Sequence, residues 1–114
     1  MAPLSLDDPG VRERLDREGM LAHLQAIPEQ CDLGWRRGIE AAIPGGYADV
    51  KAVVVAGMGG SAMGADLVRA IVQDRLPVPM QVVRDYELPA FVDDRTLVVL
   101  SSYSGTTGET LAAF

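Results

Sequence analysis

Val50-Lys51-Ala52-Val53-Val54-Val55-Ala56-Gly57-Met58-Gly59-Gly60-Ser61 decides the fold. Its first seven residues are apolar apart from Lys51, and most are β-branched. A strand with one wetted face alternates apolar and polar residues. A run without alternation suits a strand covered on both faces, as in a parallel sheet. Glycines follow at once. Behind them, Ser61–Gln73 places Met63, Leu67, Ala70 and Ile71 on one helical face, with Asp66, Arg69 and Gln73 between. Leu76-Pro77-Val78-Pro79 breaks that helix, and Met80–Val83 is a second short strand. Pro89 and Asp93-Asp94 punctuate a loop before a third strand, Thr96–Leu100. Ser101–Gly108 is a polar turn, and Glu109 opens another helix. Strand, helix, strand, strand, helix predicts an α/β unit with a parallel, doubly wound sheet.

Residues 1–49 follow a different grammar. Asp7-Asp8-Pro9 reads as a helix start, with acids ahead of a proline that fits the first turn. Val11 and Leu15 share a face, Gly19 weakens the helix, and Met20, Leu21, Leu24 and Ile27 resume an apolar stripe. Pro28 ends that segment or opens the next. Cys31, Trp35, Ile39 and Ala42 again mark one helical face, and Pro44-Gly45-Gly46 is a stop. Cys31 and Trp35 are expected to pack in a core. Gly34 and Gly38, one turn apart, are expected to permit close helix contact. The division predicted is a helical segment, 1–49, followed by an α/β unit, 50–114.

The 114 residues carry a net charge of −6, with 48% hydrophobic and 23% charged residues. That composition suits a globular chain rather than a disordered one. Nine Arg and one Lys form no basic run, which argues against a nucleic-acid or anionic-membrane partner. A single Cys and a single His rule out an internal disulfide and a cluster of soft metal ligands. Met1–Asp8 shows no basic n-region and no apolar run, so no secretory leader is expected. No stretch approaches the roughly 18 apolar residues of a membrane span. A cytoplasmic protein without a cofactor is the expectation.

Two turns carry the chemistry. In an open α/β sheet, ligands bind beyond the carboxyl ends of the strands, where the strand order reverses. In a 2-1-3 order the turns after strands one and three line one crevice. Gly57-Met58-Gly59-Gly60-Ser61 lets backbone approach a ligand closely at a helix start, where free N–H groups favour an anion. Ser101, Ser102, Ser104, Thr106 and Thr107 surround Gly105 in the second turn. A helix cap uses one hydroxyl. Five suit the oxygens of a phosphate, because each can donate a hydrogen bond.

These turns, Gly57-Met58-Gly59-Gly60-Ser61 and Ser102-Tyr103-Ser104-Gly105-Thr106-Thr107-Gly108-Glu109-Thr110, resemble the SIS (sugar isomerase) domain family. Within it they look most like the N-terminal part of the bifunctional phosphoglucose/phosphomannose isomerases. Arg84-Asp85-Tyr86-Glu87-Leu88-Pro89, Asp16, Gly19-Met20-Leu21 and Pro28-Glu29-Gln30 support that subgroup. The resemblance implies a flavodoxin-like sheet, of which this sequence holds three of about five strands. It implies phosphosugar binding by Gly59, Gly60, Ser61, Ser102, Ser104 and Thr107. It implies glucose 6-phosphate, mannose 6-phosphate and fructose 6-phosphate as ligands, and a homodimer in the full-length protein. The family pattern reads Ser-Gly-Asn-Thr-Glu-Glu-Thr, whereas this chain has Thr106 for the Asn and Gly108 for the first Glu. In the family the catalytic Glu and the ring-opening His lie in a second SIS domain. This sequence is therefore expected to be a piece of a longer isomerase, inactive alone.

Two other readings stay open. Gly57-Met58-Gly59-Gly60-Ser61-Ala62 fits G-x-G-x-x-A after a strand, with Asp85 after strand two where a ribose-binding acid sits in a dinucleotide domain. A non-catalytic SIS module that senses phosphosugar also lacks a base. His23 reads as an exposed or packing residue of the front helix. Glu109 reads as an acid favouring its helix start.

Overall fold

A computed structural model describes Ser5 and Asp7–Phe114. The expectation about a leader falls largely on residues 1–4 and 6, outside the described residues. The chain divides into two compact units, with the break between Ala42 and Ile43.

The first unit is helical: α1 (Pro9–Leu15), α2 (Met20–Gln25) and α3 (Ile27–Glu40). Asp8 caps α1, its Oδ1 accepting the Gly10 N–H at 2.8 Å, and Pro9 occupies the first turn. The chain breaks after Leu15 rather than merely weakening. Gly19 adopts φ +70°, and the Asp16 carboxylate accepts the N–H groups of Met20 at 2.6 Å and Leu21 at 2.8 Å. Pro28 opens α3 rather than ending α2. Arg36 pairs with Asp32 one turn away on its surface. The stripe on α3 is not core. Trp35 is 71% exposed, Ile39 is exposed, and so is the thiol-bearing Cys31. A Cβ added at Gly34 or Gly38 would meet nothing within 4 Å, so neither marks a close helix contact. Periodicity marks a face of the helix, but packing needs a partner surface. Among the described residues of this unit Val11 alone is buried.

The second unit is α/β. A 3-10 turn (Gly45–Asp49) leads to β1 (Ala52–Gly57), α4 (Gly59–Val72), β2 (Met80–Val83), β3 (Thr96–Ser101) and α5 (Gly108–Ala112). The strands form one parallel sheet in the order β2-β1-β3. Val53 to Ala56 of β1 lie opposite Met80 to Val83 of β2, and Ala52 to Gly57 lie opposite Thr96 to Ser101 of β3. The architecture is the α/β, flavodoxin-like order predicted from the sequence. β1 is central, which explains its unbroken apolar run: Ala52, Val54, Val55 and Ala56 are buried, Val54 completely.

The helix α4 starts at Gly59, two residues before Ser61. Its buried residue is Ala62, while Met63, Leu67 and Ile71 are exposed. The cause is close approach. A Cβ at Gly57 would lie 2.8 Å from the Ser101 carbonyl oxygen and 3.5 Å from the Ala62 nitrogen. Where helix and sheet come that close, a small residue fits and a large one does not. Among the described residues no helix is long and apolar enough to cross a membrane.

Candidate phosphate-binding cleft

Because β1 lies between β2 and β3, the turns that follow β1 and β3 emerge side by side at the carboxyl end of the sheet. Between them opens a cleft of about 620 Å³ lined by Gly60, Ser61, Ser101, Ser102 and Tyr103. No Lys, Arg, Asp or Glu lines it.

Two hydrogen bonds join the turns across the cleft. The Tyr103 N–H donates to Ser61 Oγ at 3.2 Å, and Ser101 Oγ donates to the Ser61 carbonyl at 3.1 Å. Gly59, at the first position of α4, holds φ +51°, a conformation that costs a residue with a Cβ and costs glycine nothing. That conformation turns the chain from β1 into the helix within two residues. It leaves Gly59 and Gly60 exposed at the N-terminal end of a 14-residue helix, the end that favours negative charge.

The second turn is organised by its own hydroxyls. Ser102 Oγ accepts the Gly105 N–H at 3.0 Å and lies 2.9 Å from Thr107 Oγ1. Ser104 Oγ accepts the Thr106 N–H at 3.2 Å and lies 3.3 Å from Thr107 Oγ1. Thr106 Oγ1 donates to Ser104 Oγ at 3.3 Å. The consequence is chemical. Ser61, Ser102 and Ser104 each receive a backbone N–H on the hydroxyl oxygen. The Ser61 hydrogen remains to be donated, while the two bonds to Thr107 Oγ1 engage two of the three hydroxyl hydrogens of Ser102, Ser104 and Thr107 and leave one. Donors held in place, without a fixed cation, suit an oxyanion that needs several short contacts.

The structure thus brings Ser61, Ser102, Ser104 and Thr107 to one end of the sheet, with Gly60 on the cleft wall. Gly59, Ser104 and Thr107 stand beside the cleft rather than on its lining. Thr107 precedes α5 as its capping residue, yet its side chain makes no bond to the helix N–H groups and is engaged by the serines instead. Ser101 and Tyr103 join the site as well: Ser101 binds the Ser61 carbonyl, and the fully exposed Tyr103 ring stands on the cleft lining. For both, the signal was their place in the same hydroxyl-rich run. Asp85 lies in the loop after β2, where its Oδ1 accepts the Tyr86 N–H at 2.7 Å. His23 is exposed on α2, and Glu109 lies in the first turn of α5.

No family model matches the chain, and no solved structure matches it. Curated relatives do. The chain is 43% identical over 95 residues to a bifunctional phosphoglucose/phosphomannose isomerase of Caldicellulosiruptor bescii, an alignment that covers 83% of this chain and 28% of that protein. A protein of the same name from Thermoplasma volcanium is 43% identical over 61 residues, covering 54% of this chain and 19% of the relative. Another from Aquifex aeolicus is 45% identical over 65 residues, covering 56% and 20%. The resemblance read from the two turns is the one that the comparisons find. Over most of its residues the chain is a relative of the bifunctional phosphoglucose/phosphomannose isomerases, spanning 28% of the length of the Caldicellulosiruptor bescii protein.

Proposed function

We propose that this chain is the phosphosugar-binding, SIS-type portion of an aldose–ketose isomerase that interconverts glucose 6-phosphate or mannose 6-phosphate with fructose 6-phosphate. The observation that carries the reading is the junction of the two turns. Ser61 Oγ receives the Tyr103 N–H, and Ser102, Ser104 and Thr107 form one hydroxyl cluster beside it. The phosphate is held by the Ser61 hydroxyl and by those of Ser102, Ser104 and Thr107, whose mutual bonds are exchanged for bonds to its oxygens. The backbone of Gly59 and Gly60 approaches the sugar. No metal or cofactor enters this reading. The likeness to isomerases along 83% of the chain supports the ligand class.

Isomerisation moves a proton between C1 and C2 of the sugar through an enediolate. That step needs a carboxylate within hydrogen-bond reach of the carbon acid, and ring opening needs an acid. The cleft is lined by Gly, Ser and Tyr residues and by no carboxylate. On this reading the phosphate-binding part of the reaction resides in this cleft, in a cytoplasmic enzyme that acts as a homodimer.

Titration of the isotope-labelled chain with fructose 6-phosphate tests the reading. The amide signals of Ser61, Ser102 and Thr107 are expected to shift, and Ser102→Ala is expected to weaken binding about tenfold, the effect of losing one hydrogen bond to a charged group. An isomerase assay on the same chain is expected to read zero. Amide shifts with NADH but none with fructose 6-phosphate would transfer the site to a dinucleotide.

A further inference from the structure

The loop after β2 touches both helices that carry the two turns. Arg84, the first residue past β2, pairs with Asp66 Oδ2 on α4. Asp66 also faces Arg69, whose Nη2 lies 3.6 Å from Oδ1, so one carboxylate anchors the loop and a neighbouring turn of the helix. Two residues on, the Tyr86 ring faces the first residue of α5, Gly108, at the distance of one side-chain carbon. A Cβ built on Gly108 would lie 3.6 Å from both Cε1 and Oη of Tyr86. That contact spans the whole sheet edge. β2 and β3 lie on opposite sides of β1, roughly 10 Å apart as two strand spacings. The Tyr86 N–H is itself fixed by Asp85 Oδ1 at 2.7 Å.

We propose that the loop after β2 is a clamp that sets the spacing of the two turns, with Arg84 holding α4 through Asp66 and Tyr86 holding the start of α5 by packing on Gly108. Arg84 and Tyr86 are positioning residues. Neither lines the cleft. What they control is the separation between Ser61, at the start of α4, and the Ser102–Thr107 cluster, just ahead of α5. The direct gauge of that separation is the bond from the Tyr103 N–H to Ser61 Oγ. A cluster of neutral donors is sensitive to such spacing, because a hydrogen bond weakens steeply once distance or angle departs from its optimum. The consequence for a ligand rests on the phosphosugar reading; the consequence for the spacing does not.

The test compares Tyr86→Ala, Tyr86→Phe and Arg84→Ala in the full 114-residue chain, by amide hydrogen exchange and by titration with fructose 6-phosphate. Tyr86→Ala is expected to raise exchange at Tyr103 about fivefold and to weaken fructose 6-phosphate by about the same factor. Exchange at Val54, which reports opening of the sheet core, stays at its native rate. Tyr86→Phe keeps the ring and is expected to behave as the native chain in both measurements. Arg84→Ala is expected to raise Tyr103 exchange as Tyr86→Ala does. Native exchange at Tyr103 in Tyr86→Ala, or equal damage from Tyr86→Phe, overturns the clamp. If Tyr86→Ala does not fold, Arg84→Ala decides by the same comparison. Failure of the native chain to bind fructose 6-phosphate overturns the phosphosugar reading, while the exchange rates still decide the clamp.

Discussion

The two units are held by different means. In the α/β unit, β1 is flanked on both sides by parallel strands, and four of its six residues are buried apolar side chains. In the helical unit, α3 is more than twice as long and buries none of its residues. Order there comes from short-range polar contacts: Asp8 on Gly10, Asp16 on Met20 and Leu21, Arg36 on Asp32. One unit draws its stability from area removed from water, the other from caps and side-chain pairs. The first kind is non-local, whereas the second acts within a turn or two of chain. Substitutions should therefore act in opposite ways on the two.

The largest effect is expected at Val54, which has no exposed surface. Val54→Asp buries an unpaired carboxylate on a covered face of the central strand, at a cost of about 4 kcal/mol or more, comparable to the whole stability of a small domain. Residue-resolved amide exchange should show the protection signal of β1 lost, while that of α3 persists. If both signals vanish together, the two units fold as one cooperative body and the contrast between them fails.

What the residues revealed in advance follows the same division. The run Val50–Ala56 announced a buried parallel strand because burial on both faces leaves a compositional mark, and the structure places β1 at Ala52–Gly57 between two partners. Met80–Val83 was legible as a strand in its own right, and the two turns meet because the strand order is the 2-1-3 on which that expectation depended. The packing of α4 did not follow. Met63, Leu67 and Ile71 form the obvious apolar face, yet Ala62 meets the sheet because Gly57 draws the helix too near for a larger side chain. No local pattern encodes that distance. Trp35 and Cys31 misled for a related reason: helical spacing says which residues share a face, not whether anything covers it. In the candidate site, the number of hydroxyls was legible. Their division of labour was not, since it depends on a turn in which Gly105 adopts φ +70° and presents its N–H to Ser102.

A smaller effect is expected at Asp16, where the helical unit is most dependent on one side chain. Its carboxylate satisfies two of the backbone N–H groups that α2 leaves open at its start. Asp16→Ala should cost about 1 kcal/mol, the usual value of a lost cap. Asp16→Asn keeps an acceptor oxygen and should restore part of that. The readout is amide exchange at Met20 and Leu21, which should quicken in Asp16→Ala while exchange at Val54 stays unchanged. Quickening at Val54 as well would mean that the cap supports more than its own helix.

The smallest effect is expected at Trp35, and it examines the contrast most directly because the residue type would ordinarily matter most. Truncating a buried Trp costs about 3–5 kcal/mol. Trp35 is 71% exposed, so Trp35→Ala should stay within about 0.5 kcal/mol, as for surface substitutions. Trp35 is the one tryptophan of the sequence, which makes its fluorescence a clean reporter. The native chain should emit at the long wavelength of a hydrated indole, and acrylamide should quench it as readily as it quenches free tryptophan. A blue-shifted, protected emission would place a surface over the α3 stripe, and Trp35→Ala would then cost as much as a core truncation. The helical unit would then owe its order to burial after all.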